Sequence, residues 1–292
     1  MRSFGLTIAL VVVGCGARTV LPRDDASKSR PDLTVPTLTQ VRDILALLEG
    51  PIVTTLVERA ALPAEPALYA NNGQGLLNFI KAREAVSAAS GRFDYGTLEY
   101  PFTQSLVAPD KTSSSNPFPP GRFHQDTFSP NANLTSFYLN TLIPLIRAAN
   151  TAAGSSSVFF HLTSPTPADT DAKYNLDATL LALISHRSSI GKVVGESKFA
   201  ANVSGFTPLI KLKDATTIQV LLTNVTQEEV VLVGAASASL AVATAWETAQ
   251  TATTATTTAF VTSIQAATAK LFRELIDITT QVEVEYILQR LV

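Results

Sequence analysis

Apolar side chains recur three or four residues apart along most of this chain from residue 38 onward, and this spacing limits the fold more than any other feature. It is the spacing that places side chains on one face of an α-helix. The first such series contains Leu38, Val41, Leu45, Leu48, Ile52 and Leu56. No segment of the sequence alternates apolar and polar residues between turn signals, as a half-buried strand would. The sequence therefore predicts an all-α fold.

The same spacing predicts a series of further helices. Their ranges are 76–89, 134–153, 176–199, 207–214, 216–222, 227–249 and 264–291. We expect 176–199 to be the longest, central helix. Gly50-Pro51 interrupts the first helix, which predicts either a kink or a second helix that begins at Pro51. Composition leaves the Ala/Thr-rich run 249–263 unassigned, and 101–133 is predicted to be a long ordered loop.

The N-terminal residues 1–17 have the pattern of a secretory signal peptide. Arg2 gives a positive start, and the apolar stretch 6–13 is too short to span a bilayer. Small residues at 15–17 provide a cleavage site, which predicts a secreted protein. The alternative is a bacterial lipoprotein signal that presents Cys15 for lipid attachment.

The remaining chain is predicted to contain one folded domain. Residues 18–33 are polar and predict a flexible linker, and 34–292 predict a single all-helical domain. A 292-residue chain that is 46% hydrophobic can bury a full core without disulfides. Cys15 is the single cysteine, and it would leave with the signal peptide.

Charge and composition exclude several kinds of partner. The formal net charge of −2 argues against nucleic acid and anionic membranes, and loss of Arg2 would make the charge more negative. The three histidines, His124, His161 and His186, do not have metal-ligand spacing. The sequence also lacks a Gly-rich phosphate loop and a nucleophile motif. We expect no metal and no cofactor.

Two cations occupy the core-facing stripe of the predicted central helix. Arg187 and Lys198 are eleven residues apart, close to three helical turns. Burial of an unpaired charge costs on the order of several kcal/mol, so each cation must meet a carboxylate or a polar cavity. Gly191 and Gly195, on the same helix, would allow another backbone to approach closely.

Other polar residues are spaced so that they could reach the same cavity. Asn224 and Glu228 are four residues apart, and so are Thr279 and Glu283, so each pair would share a helix face. Together with Arg42 on the first helix, these groups could bind one small polyanion. The alternative is structural: the central cations would form buried ion pairs with the two glutamates, and Thr279 would be a satisfied helix hydroxyl.

Two segments are specific in residue type and spacing. Residues 191–199 read Gly-Lys-Val-Val-Gly-Glu-Ser-Lys-Phe, and residues 279–286 read Thr-Thr-Gln-Val-Glu-Val-Glu-Tyr. Shorter matching segments lie at 41–43, 48–49, 57–59, 92–93, 99–102, 186–187, 224–228 and 287–291. In this order and spacing the chain resembles the eukaryotic, all-helical chorismate mutases of the AroQ class. The resemblance implies their multi-helix fold.

The resemblance also implies a reaction, the intramolecular Claisen rearrangement of chorismate to prephenate. Arg42 and Arg187 would bind the substrate carboxylates. Lys198 would donate to the ether oxygen and a carboxylate. Glu283, kept protonated by a raised pKa, would donate to the ether oxygen from the opposite side.

The three remaining positions of the family pattern are also occupied by the expected residue types. Glu228 would accept a hydrogen bond from the ring hydroxyl, while Asn224 and Thr279 would complete carboxylate binding. The family further implies a homodimer.

The chain departs from the family where allosteric members bind tyrosine or tryptophan. Those members use two arginines before the Phe of the Arg-Phe segment and a Gly-Ser at the start of the central helix. Here Gly91 precedes Arg92-Phe93, and 171–175 read Asp-Ala-Lys-Tyr-Asn. We therefore expect little response to aromatic amino acids.

A secreted, unregulated enzyme could act outside its producer, inside a host cell and among host proteins. The alternative is a secreted helical interaction protein that retains the scaffold without catalysis.

Overall fold

The all-α prediction is confirmed by a computed structural model, which describes residues 36–93, 101–103, 126–152, 167–251 and 259–291. Strands are absent from these ranges. Their α-helices are α1 (Leu38–Ala61), α2 (Ala70–Ala89), α3 (Asn131–Phe137), α4 (Ile143–Ala152), α5 (Pro167–Ser189), α6 (Gly191–Ala201), α7 (Val203–Leu212), α8 (Ala215–Leu222), α9 (Val225–Thr251) and α10 (Ala259–Gln289). A 3₁₀ helix (Pro66–Tyr69) precedes α2, and a π-helical turn (Tyr138–Leu142) joins α3 to α4. The predicted signal peptide 1–17 and linker 18–33 lie outside the described residues.

The first helix begins at a capping box and continues through Gly50-Pro51. The Thr37 hydroxyl accepts from the amide of Gln40, whose side chain accepts from the Thr37 amide. The alternative of a second helix beginning at Pro51 is wrong. Thr55 donates its hydroxyl proton to the Pro51 carbonyl at 2.8 Å within the same helix.

The prediction of one continuous central helix over 176–199 is wrong. The structure has two helices there, α5 and α6, which are separated at Ile190, and α5 already begins at Pro167. Ile190 keeps near-helical angles (φ −61°, ψ −20°), so the stripe that carries Arg187 and Lys198 continues across the break. The 31-residue α10 is longer than either part.

The close helix approach predicted at the two glycines of α6 is confirmed. A methyl group on Gly191 would lie 3.0 Å from the Thr279 carbonyl oxygen, and one on Gly195 would lie 3.5 Å from the Glu283 carbonyl oxygen. Both contacts are with α10. The absence of side chains on α6 therefore brings its backbone against the turns of α10 that carry Thr279 and Glu283.

The other predicted elements differ mainly at their ends. The helix predicted over 76–89 ends as expected, before Ser90 and a Gly91 with φ +80°. The predicted loop 101–133 gives way to α3 at Asn131, and 104–125 lie outside the described residues. Of the Ala/Thr-rich run, 249–251 belong to α9 and 259–263 to α10.

The long helix α9 has an apolar and largely exposed surface. Residues Val225–Ala249 are long and apolar enough to cross a membrane, with a mean hydropathy of 1.6, and only 17% of the window is buried. The helix packs along α10 and α1. Val230, Val233 and Leu240 lie on its exposed side.

A buried polar network, which the sequence did not reveal, joins α1 to α5. Arg59 and Asp177 are fully buried, with Nε 2.5 Å from Oδ1. Tyr138 donates to Asp177 at 2.6 Å, and Tyr69 donates to its other oxygen at 2.8 Å. Burial lowers the pKa of Arg59, but the negative charge of Asp177 and the contributions of Tyr69 and Tyr138 together outweigh it, so the pKa is raised and the guanidinium stays charged.

Replacement of Asp177 by alanine is expected to lower the free energy of unfolding by about 3–5 kcal/mol, because it leaves the Arg59 charge buried without a partner. Urea denaturation measures this loss. The matched control is Glu65→Gln. Its partner Lys173 is 7% exposed, but Glu65 is 38% exposed and glutamine keeps an acceptor for the ammonium group, so the loss should be smaller, about 1 kcal/mol. Equal losses in the two variants would contradict the prediction.

Candidate active site

All seven residues selected from the sequence line one cavity of about 100 Å³ between α1, α5, α6, α9 and α10. They are Arg42, Arg187, Lys198, Asn224, Glu228, Thr279 and Glu283. Apolar side chains form much of the remaining wall: Leu38, Leu45, Val194, Leu222, Val231 and Ile276. The cavity thus combines polar groups on several helices with an apolar wall. The roles of the seven residues in a reaction stay predictions.

Lys198 and Glu283 face each other across the contact between α6 and α10. The Lys198 Nζ lies 2.7 Å from Glu283 Oε2 and donates to the Leu222 carbonyl at 2.6 Å. The two side chains are 19% and 7% exposed. For this pair the structural alternative, a buried ion pair, is present in the folded protein.

Burial gives Glu283 an unusual protonation equilibrium. Burial raises its pKa to about 7, and the nearby charge of Glu228 adds to the rise, whereas the ammonium group of Lys198 opposes it. The expected rise in the pKa of Glu283 is confirmed. Near neutral pH this carboxyl group exists in both forms, and the protonated form can donate a hydrogen bond.

Arg187 does not form the buried ion pair that the structural alternative requires. Its side chain is 2% exposed, and its Nε has no hydrogen-bond partner. It forms no ion pair with Glu228 or Glu283 among the described residues; instead its guanidinium lies 5.6 Å from the ring centre of Phe272. A buried donor without a partner costs about 1–3 kcal/mol. An anionic ligand in the cavity would remove that cost.

Two further charged residues, Glu49 and Arg273, interact with residues of the cavity but are not among the seven selected from the sequence. Glu49 is half-buried on α1, where burial raises its pKa and the positive charge of Arg187 opposes the rise. Arg273 on α10 lies 3.5 Å from Glu228. Glu49 follows Arg42 by two helical turns, so its position on the same face of α1 could have been predicted. The pairing of Arg273 with Glu228 joins separate helices, so spacing along the chain could not reveal it.

Asn224 and Thr279 each make a local hydrogen bond at or within a helix. Asn224 precedes α9 and caps it, because its side-chain oxygen accepts from the Gln227 amide at 3.0 Å. Asn224 is therefore the cap of α9 and not a residue within it, and its carbonyl accepts from the Glu228 amide at 3.0 Å, so the two residues line the same cavity. Thr279 donates to the Leu275 carbonyl at 2.6 Å, so its hydroxyl is satisfied within α10, as the structural alternative proposed.

The chain is similar to proteins of one family. No family model matches it. It is 27% identical over 210 residues to a chorismate mutase of Schizosaccharomyces pombe, covering 67% of this chain and 75% of that protein. It is 28% identical over 207 residues to a chorismate mutase of Saccharomyces cerevisiae, covering 68% and 76%. A chorismate mutase of Pichia angusta is 26% identical over 272 residues, covering 88% and 89%.

The chain is similar to eukaryotic-type chorismate mutases in sequence and in fold. Its fold matches the chloroplast chorismate mutase of Zea mays with a TM-score of 0.62 and 21% identity, covering 92% of this chain and 98% of that one. It also matches the Aro7p chorismate mutase of Candida albicans, solved in complex with L-Trp, with a TM-score of 0.61 and 21% identity, covering 87% and 91%. The expected fold of the chorismate mutase family is thus confirmed.

The protein has a second, larger cavity of about 350 Å³ beside α2, α3 and α5. Phe102 and Phe128 contribute to its apolar wall, and Asn131 and His186 to its polar wall. None of the seven selected residues lines it. Sequence spacing did not predict this cavity, because its walls come from distant parts of the chain.

Proposed function

We propose that the protein is an active chorismate mutase, which converts chorismate into prephenate by an intramolecular rearrangement. The observation that carries this proposal is the buried Arg187 guanidinium, whose Nε lacks a partner, at a cavity that also contains Lys198 and Glu283. A structural ion-pair cluster would have satisfied that cation. A dianionic substrate supplies the missing acceptor.

The proposed reaction forms no covalent intermediate. The protein has to hold a flexible dianion in a compact shape and stabilise the negative charge that develops on the breaking ether oxygen. Arg187 and Arg42 supply forked guanidinium groups that match carboxylates. They lie on α5 and α1, so two separate helices would fix the two ends of the substrate.

Lys198 and Glu283 are proposed to act at the ether oxygen. Their polar atoms are 2.7 Å apart and bond to each other, so the two side chains must separate before an oxygen atom of the substrate can accept a hydrogen bond from each. Glu283 can donate only while it is protonated, which its pKa of about 7 permits at neutral and acid pH. Glu228 lies at the same cavity as an acceptor for a substrate hydroxyl.

The test is direct. The purified chain lacking residues 1–17 is mixed with chorismate, and the loss of chorismate absorbance and the formation of prephenate are measured. Conversion supports the proposal. Chorismate binding without conversion would instead favour the alternative, a helical interaction protein that retains the scaffold. If the chain neither binds nor converts chorismate, both roles proposed for the cavity are contradicted.

We further propose that the enzyme is not feedback-regulated. Lys173 and Tyr174 occupy the segment where allosteric relatives have Gly-Ser, and they bond to Glu65 at 2.7 Å and to the Leu68 carbonyl at 2.9 Å. These contacts fill part of that region. Saturating tryptophan or tyrosine should change the rate less than about twofold, well within 1 kcal/mol of coupling. A several-fold change in initial rate would contradict this prediction.

The proposed setting is extracellular. The signal-like residues 1–17 support secretion, and the absence of feedback control would suit an enzyme that acts outside its producer, including on the metabolism of a host cell. We propose a homodimer by similarity to the family. Recovery of the processed protein from the culture medium, beginning near Arg18, tests secretion. Sedimentation of that material tests the dimer.

A further inference from the structure

A second buried carboxylate joins α6 to α10 next to the cavity, outside the seven selected residues. Glu196 is 3% exposed. Tyr286 donates its hydroxyl proton to Oε2 of Glu196 at 2.7 Å. Arg290 donates from Nε to Oε2 at 2.7 Å and from Nη2 to Oε1 at 3.0 Å. This two-point guanidinium contact is the strongest geometry for such a pair.

The same arginine also contacts the residue on the other side of Lys198. The guanidinium carbon of Arg290 lies 5.1 Å from the ring centre of Phe199, a buried side chain. Glu196 and Phe199 flank Lys198 on α6. The side chain of Arg290, the first residue after α10, therefore contacts both sides of the turn of α6 from which Lys198 extends.

The backbone of α6 also approaches α10 beside this cluster. A methyl group added to Gly195 would be in van der Waals contact with the Glu283 Cα atom, at 3.6 Å. The Glu196–Arg290 contact thus acts next to the helix turn that carries Glu283. A change in this contact would alter the distance between Lys198 and Glu283.

We propose that Glu196 and Arg290 are positioning residues for the rearrangement: they hold α6 against α10 so that Lys198 and Glu283 meet the ether oxygen together. Neither residue lines the cavity, so neither touches substrate. The inference rests on the proposed function, because it gives these residues a part in that reaction. It also makes a claim about the protein without substrate, which can be tested separately.

That claim concerns the protonation of Glu283. The charged groups that share its cavity are Lys198 from α6, Glu228 from α9, Arg42 from α1 and Arg187 from α5. Lys198 opposes the raised pKa of Glu283. If α6 loosens, Lys198 moves away and Glu283 keeps its proton to higher pH.

The experiment compares Glu196→Gln and Arg290→Lys with the control Glu65→Gln, which removes the same charge from a distant pair. A misplacement of about 1 Å can cost on the order of a hundredfold in rate. We therefore expect kcat to fall about 10- to 100-fold in Glu196→Gln, less in Arg290→Lys, and not in the control. KM should change much less than kcat, because the arginines that bind the carboxylates are untouched.

The second measurement is independent of activity. The Glu283 carboxyl is titrated by carbon NMR, and its midpoint should rise by about one pH unit in Glu196→Gln, equivalent to a tenfold weaker influence of Lys198. If Glu196→Gln does not fold, Tyr286→Phe removes one bond to Glu196 and should show a smaller rise.

The outcomes separate the two proposals. An unchanged midpoint and an unchanged kcat in a folded Glu196→Gln variant would overturn the positioning role while leaving the proposed function intact. If the unmodified protein does not convert chorismate, the proposed function fails, and the catalytic part of this inference fails with it. The titration then still decides whether Glu196 sets the contact between Lys198 and Glu283.

Discussion

Replacement of Lys198 by alanine is expected to lower kcat by about a thousandfold, the upper range for loss of a preorganised donor to a developing negative charge. The ammonium group lies 2.7 Å from Glu283 in a cavity with an apolar wall. In such a setting an electrostatic interaction is stronger than in water. Its loss should therefore affect the transition state much more than the bound substrate.

The Lys198→Ala variant is expected to remain folded. Lys198 is partly exposed and bonds to Glu283 and the Leu222 carbonyl. Glu283 can accept a proton when its partner is removed, which limits the cost of leaving it buried. Chorismate consumption measures kcat, and circular dichroism with thermal unfolding checks the fold. Lys211→Ala, an exposed position on α7, is the matched control. Turnover within tenfold of the unmodified protein would contradict the assigned role of Lys198.

The residues that share a helix face could be predicted because helical spacing is a local property. The separation of Arg187 and Lys198 along the chain predicts that they lie on one stripe, and the break at Ile190 does not change that stripe. The break itself could not be predicted from the spacing of apolar residues, because Ile190 keeps near-helical angles and the spacing continues across it. Asn224 was predictable as a helix cap, since asparagine is favoured at that position.

Contacts between distant residues could not be predicted in this way. Arg59 and Asp177 are 118 residues apart, and no spacing rule relates positions so remote. The choice between a ligand site and a buried ion-pair cluster was also open from the sequence. It depended on whether Arg187 would find a carboxylate partner, which is a property of three-dimensional packing.

Protonation of Glu283 is expected to make the activity depend on pH. Burial raises its pKa to about 7, and the proposed donor is the protonated form. Activity should therefore be greatest in mildly acid solution and fall as pH rises through about 7. Glu283→Gln should flatten this fall, because an amide donates a hydrogen bond at every pH.

The measurement is kcat against pH from 5 to 9 for both proteins. The variant is expected to be slower at acid pH, since an amide is a weaker donor than a carboxylic acid, but its alkaline decline should be lost. Asp214→Asn is the control, an exposed carboxylate at the start of α8 whose pKa is lowered by Thr217. A flat profile in the unmodified protein, or the same decline in Glu283→Gln, would refute the role of a protonated Glu283.

The same carboxyl group should also affect stability, which provides a check that needs no substrate. The pKa of Glu283 is about 7 in the folded protein against an ordinary value of 4.5, so between these values the folded protein binds more protons than the unfolded chain. The unfolding free energy should then decrease as pH rises across this window and level off above it. Glu283→Gln lacks this contribution, so urea denaturation at pH 5 and pH 8 should show a smaller difference for the variant. An equal difference in both proteins would mean that Glu283 is ionised in the folded state at both pH values and cannot be the donor.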